Sequence, residues 1–108
     1  MTGTYILNGQ TPEPIKDIVE WGRWFETADR TVAETKVGKL EVSTVFLGLD
    51  HSFGGGTPIL FETKIFGGEE YQERYATWEE AEVGHKEAVK IAKLKEEKSN
   101  GKNRTNRA

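Results

Sequence analysis

Leu40-Glu41-Val42-Ser43-Thr44-Val45-Phe46-Leu47 sets Leu40, Val42, Thr44 and Phe46 against Glu41, Ser43, Val45 and Leu47. A period of two is the signature of a strand, because successive side chains point to opposite faces. The second half of the run loses its polar face, as a strand does when it becomes covered on both sides. The chain then turns through Asp50-His51-Ser52-Phe53-Gly54-Gly55-Gly56, and a second alternation runs from Ile59 to Phe66. There Ile59, Phe61, Thr63 and Ile65 share one face, and Leu60, Glu62, Lys64 and Phe66 the other. Two strands with no helix between them predict an antiparallel hairpin, with Asp50–Gly56 as its tip.

Working outward, Val32–Val37 also alternates, and Val37-Gly38-Lys39 offers a turn into the strand that begins at Leu40. On the other side Gly67-Gly68 ends the second strand. Tyr71, Glu73 and Tyr75 then alternate with Gln72 and Arg74, as expected of a short, charged edge strand. Thr4–Leu7 is β-prone and precedes Asn8-Gly9, a strong turn signal. Thr11-Pro12-Glu13-Pro14 is not expected to continue a strand and suits the approach to a helix. Asp17 and Glu20 have capping-box spacing, and Ile15, Ile18, Trp21, Phe25 and Ala28 recur at steps of three and four. That predicts an amphipathic helix within 15–30.

Thr77-Trp78-Glu79-Glu80 is a second capping box, and it opens a helix whose apolar side carries Trp78, Ala81, His85, Ala88, Val89 and Ala92. Beyond Glu97 the apolar pattern ends. The expected fold is therefore α+β: an antiparallel sheet of three to five strands with two helices on one face, a two-layer sandwich. Residues 1–97 should form one domain, and 98–108 a disordered basic tail.

A chain of 108 residues holds one ordinary core. It has no cysteine, which excludes disulfides and cysteine metal sites and fits a reducing compartment. No apolar run reaches the length of a membrane span and no basic-then-apolar leader opens the sequence, so a soluble, cytoplasmic protein is expected. The formal charge is −3; Lys98, Lys102, Arg104 and Arg107, with no acid beside them, leave −7 on residues 1–97. An acidic body suits a basic protein partner, and the basic tail offers only a weak, salt-sensitive contact to nucleic acid.

Gly54-Gly55-Gly56 could cradle a phosphate through backbone N–H groups. Phosphate loops join a strand to a helix, however, and this one is flanked by strands and lacks a Walker ending. Asp50 and His51 stand at a strand end, where His51 could act as a base or a ligand and Asp50 could orient it. His85 is the only other imidazole and falls on a packing face, where hydrogen bonding in the core is the commoner role. Trp24, at the edge of its helical stripe near Glu20 and Glu26, reads as an exposed contact for a protein. No nucleophile lies in a pattern linking it to a base, and no catalytic residue, cofactor or metal ligand set is assigned.

Thr44-Val45-Phe46-Leu47-Gly48-Leu49-Asp50-His51, Phe53-Gly54-Gly55-Gly56, Leu60-Phe61-Glu62-Thr63 and Phe66-Gly67-Gly68 give the chain a resemblance to small accessory proteins encoded by tailed bacteriophages and prophages. Trp24-Phe25-Glu26-Thr27-Ala28-Asp29-Arg30 and Tyr75-Ala76-Thr77-Trp78-Glu79-Glu80-Ala81 extend it. The resemblance implies a phage gene product in a host bacterial cytoplasm and carries no catalytic residue. The resulting expectation is a binding protein that acts on a host protein without catalysis, such as an inhibitor of an anti-phage defence like CRISPR. The alternative is a small-ligand or nucleotide-binding protein, or a metal-assisted hydrolase, using the Asp50–Gly56 turn. The contact residues would be Asp50, His51, Phe53, Gly54, Gly55, Gly56, His85 and Trp24.

Overall fold

In a computed structural model, residues 3–105 are described along the backbone and residues 3–98 in their side chains. The elements are β1 (Tyr5–Asn8), β2 (Thr11–Pro14), α1 (Ile18–Thr27), β3 (Thr31–Val37), β4 (Leu40–Phe46), β5 (Phe61–Phe66), β6 (Gln72–Tyr75) and α2 (Trp78–Thr105). β3-β4-β5-β6 form one antiparallel sheet in chain order, and β1-β2 form a separate hairpin. The fold is mixed α+β, as the alternation around Leu40 predicts.

The expected reading of Thr11–Pro14 is overturned: it is strand β2, paired with β1 in the register Tyr5↔Pro14 and Leu7↔Pro12. The hairpin turns on Gly9, at φ 64°, the first central position of a two-residue loop. Asn8↔Thr11 is then the hydrogen-bonded closing pair, so Pro12 and Pro14, two residues apart, both fall at positions that need no N–H. A strand with a free edge tolerates prolines at this spacing. α1 starts later than Pro14, at the Asp17 cap, whose carboxylate accepts from the N–H groups of Val19 (3.0 Å) and Glu20 (3.2 Å).

α2 opens on the expected capping box. Thr77 Oγ1 accepts from Glu80 N at 3.1 Å, and the Glu80 carboxylate accepts from Thr77 N at 3.1 Å. The helix does not stop at Glu97 but continues through Thr105; residues 106–108 lie outside the described range. An apolar pattern is needed to dock a helix, not to prolong one, because each added residue completes a further backbone hydrogen bond. Glu96 ties this end to the sheet by accepting from Lys39 N in the β3–β4 turn at 2.9 Å.

Leu40, Val42, Thr44 and Phe46 of β4 are all buried beneath α2, while Glu41, Ser43 and Val45 turn to the opposite face. α2 meets them with Ala81, His85, Ala88 and Ala92, at steps of four, three and four. Small residues let the helix axis approach the sheet closely. An aromatic row extends the core sideways: Trp24 meets Phe46 edge-on at 5.9 Å, Phe46 meets Phe61 at 5.3 Å, and Phe61 meets Trp78 at 6.2 Å. Phe46 and Phe61 are fully buried, each stabilising the fold by roughly 2–3 kcal/mol.

Gly84 sits in mid-helix, where alanine would ordinarily be favoured by about 1 kcal/mol. A Cβ there would lie 2.2 Å from the Tyr75 ring, which lies flush against the helix backbone. Gly84→Ala should therefore destabilise the protein by about 1–3 kcal/mol despite its helix propensity. Adding Tyr75→Leu should recover part of the loss. Urea denaturation of the two variants reads both effects.

Candidate functional site

The link between β4 and β5 is a loop closed at its base rather than a tight turn. Leu47 N donates to Leu60 O at 2.7 Å, and His51 N to Ile59 O at 3.0 Å. Asp50 is the staple: its Oδ1 accepts from Ser52 N at 2.8 Å and Ile59 N at 3.0 Å. Those two N–H groups hold the Asp50 carboxyl below the usual carboxylate range. On the other side Asp50 N donates to Gly3 O at 3.0 Å, and Tyr5 N to Gly48 O at 2.8 Å, which ties the loop to the N-terminal hairpin. Trp21 Nε1 donates to both Tyr5 O and Gly48 O, locking α1 over the same junction. Gly48 is required there: φ is 78°, and a Cβ would stand 3.1 Å from Phe25.

Beyond this closed base the tip is open. Gly54, Gly55 and Gly56 take φ of 85°, 88° and 89°, and a Cβ on any of them would have nothing within 4 Å. Phe53 is 91% exposed, the most exposed large apolar side chain among the described residues. The glycines are thus set by backbone conformation rather than by close packing. No helix begins after them, so the loop lacks the helix N-terminus that a phosphate loop uses.

The structure separates the candidate residues. His85 projects from α2 onto the sheet, with Nδ1 2.7 Å from Thr44 Oγ1 and Nε2 2.9 Å from Thr35 Oγ1, and Thr44 Oγ1 is 2.5 Å from Thr63 Oγ1. Three strands are joined through one imidazole. The proton on one ring nitrogen serves one end, and a hydroxyl donates back at the other, so a neutral ring satisfies the chain in either direction. His85 is therefore a core group with both nitrogens engaged, and His51, on the β4–β5 loop, does not share its site. Trp24 is half-buried and packs edge-on against Phe46, because α1 turns that side of its stripe inward. It packs against the core rather than standing free as its position in the stripe suggests. Among the described residues, no group of three His, Asp or Glu side chains is placed to hold a metal ion.

The sheet face away from α2 carries features that the sequence reading missed. Glu62, only 8% exposed, accepts from Arg74 Nε at 3.0 Å and stands 3.8 Å from Lys64 Nζ. Further along β5, Phe66 is exposed at the rim of a cleft of about 490 Å³ at the turn into β6, which Lys64, Ile65, Gly67, Glu70 and Tyr71 also line. The signal was the alternation of β5 itself, in which Glu62, Lys64 and Phe66 share the face opposite Phe61 and Thr63. Among the described residues no helix is long and apolar enough to cross a membrane. No family model, curated protein or solved structure matches the chain.

Burial pushes the His85 imidazole below its ordinary value of 6.5. The unfolded chain then binds this proton more readily than the folded one. Stability should hold above about pH 6.5 and fall as the pH drops from there toward the lower folded value. His85→Gln keeps a hydrogen-bonding side chain but cannot titrate. Urea midpoints measured from neutral to mildly acidic pH should slope downward for the native protein and more weakly for this variant.

Proposed function

We propose that the protein is a non-catalytic binding protein that seats the Asp50–Gly56 loop on a host protein, with Phe53 as its anchor. The carrying observation is an almost fully exposed phenylalanine on an open glycine tip whose base is stapled by Asp50. Aromatic side chains that fill a partner's pocket commonly supply a large share of binding energy, and a closed loop base limits the ordering cost on association. Asp50 contributes by holding the loop, and Gly54–Gly56 by giving it its path. His51 flanks the anchor as a polar contact.

The charge distribution supports a partner with a basic surface. The −7 on residues 1–97 favours fast encounter with a positively charged channel of the kind that handles nucleic acid. Together with the phage-like sequence, this makes an effector of an anti-phage defence such as CRISPR the specific target of the proposal, met in the host bacterial cytoplasm.

The test is phage plating on bacteria carrying a defined CRISPR effector, with and without this protein, paired with binding to the purified effector. The native protein should restore plating, and Phe53→Ser should lower binding about tenfold or more while leaving the urea midpoint unchanged. Absence of both binding and protection across a panel of effectors would overturn the reading. A rise in melting temperature with cyclic nucleotides or divalent cations, lost in His51→Ala, would instead favour a small-ligand site on the same loop.

A further inference from the structure

β3 is an edge of the sheet, paired on one side by β4, and no other described strand pairs with it. Its free edge has a definite chemical pattern. Gly38-Lys39 is a two-residue turn, so Val37↔Leu40 is a hydrogen-bonded pair, and bonded and non-bonded pairs alternate from there. Thr35 and Ala33 therefore direct their backbone groups inward to Val42 and Thr44. Glu34 and Lys36 direct theirs outward. The bond from Phe46 N to Arg30 O, 2.7 Å long, shows the same side of β4 still facing β3 beyond the irregularity between Thr31 and Ala33.

The side chains follow the same alternation. Glu34 and Lys36 lie opposite Ser43 and Glu41, on the sheet face away from α2, and both are exposed. A second β3 laid antiparallel about a two-fold axis through Thr35 brings Glu34 opposite Lys36 of the other copy, twice. These are also the residues whose N–H and C=O groups point outward, so each such pair can exchange both backbone bonds. On the other face Ala33 meets Val37, and Thr35 meets itself. Moving the axis to Glu34 or to Lys36 places like charges opposite one another on the axis, which is unfavourable.

We propose that β3 pairs with β3 of a second copy of this chain in the register Glu34↔Lys36, joining two sheets into one of eight strands. The edge charges, which would repel a strand of random sequence, here select an identical partner. Antiparallel pairing sends the two Phe53 loops to opposite ends of the assembly. The inference is independent of what those loops bind.

Sedimentation equilibrium of the full chain at micromolar concentration should give about twice 12.2 kDa. Glu34→Lys and Lys36→Glu each place like charges across the interface and should each weaken self-association about tenfold or more. An equimolar mixture of those two variants, and the double variant carrying both changes, should each recover the dimer. Lys36→Pro removes an outward N–H that the bond pattern to β4 does not use, and should give a folded monomer by circular dichroism. A monomeric native chain, single variants that dimerise like the native chain, or a mixture that fails to recover the dimer would each overturn the proposal.

Discussion

His85 stands where α2 crosses the middle of the sheet, and it engages hydroxyls on β3 and β4 directly and on β5 through Thr44. Thr44 and Thr63 are completely buried, and in a sheet covered by a helix of alanines they would have only each other. A buried hydroxyl without a partner costs about 1–3 kcal/mol, so the imidazole offsets a penalty that the threonines would otherwise impose. It also limits the docking of α2, since sliding the helix by one turn would strand the ring and the hydroxyls together. Ala81, Ala88 and Ala92 fit this arrangement because they keep the helix near enough for one histidine to reach the sheet.

Two further attachments follow from that placement. Toward the start of α2, Gly84 admits the Tyr75 ring and Trp78 meets Phe61, which holds the short edge strand β6 under the helix. Toward its other end, Glu96 accepts from the β3–β4 turn. The sheet is thus clamped on one face at three levels, and its other face is left to Glu62, Lys64, Phe66 and Arg74.

The β4–β5 loop shows how a rigid base and an open tip are built from neighbouring residues. Asp50 accepts two backbone N–H groups on one carboxylate oxygen, Oδ1, which makes it the closure of the loop. A loop held in this way presents Phe53 without a large ordering cost on contact.

The period of two between Leu40 and Phe66, the turns at Gly38 and Gly67, and the capping boxes at Asp17 and Thr77 were all legible without coordinates. Each is a local property: it depends on side-chain alternation, on φ, or on a bond three residues away. The sequence by itself thus determined the α+β class, the run of antiparallel strands between Val32 and Tyr75, the start of α2 and the face of α2 that packs. Tertiary structure alone decided that Thr11–Pro14 pairs as a strand, since its prolines are harmless only in the register set by Gly9. It decided that α2 continues to Thr105, and that Trp24 turns inward while Phe53 stays out. It also separated His51 from His85, because a histidine's role depends on which hydroxyls the sheet brings beneath it, and those come from strands far apart in the chain.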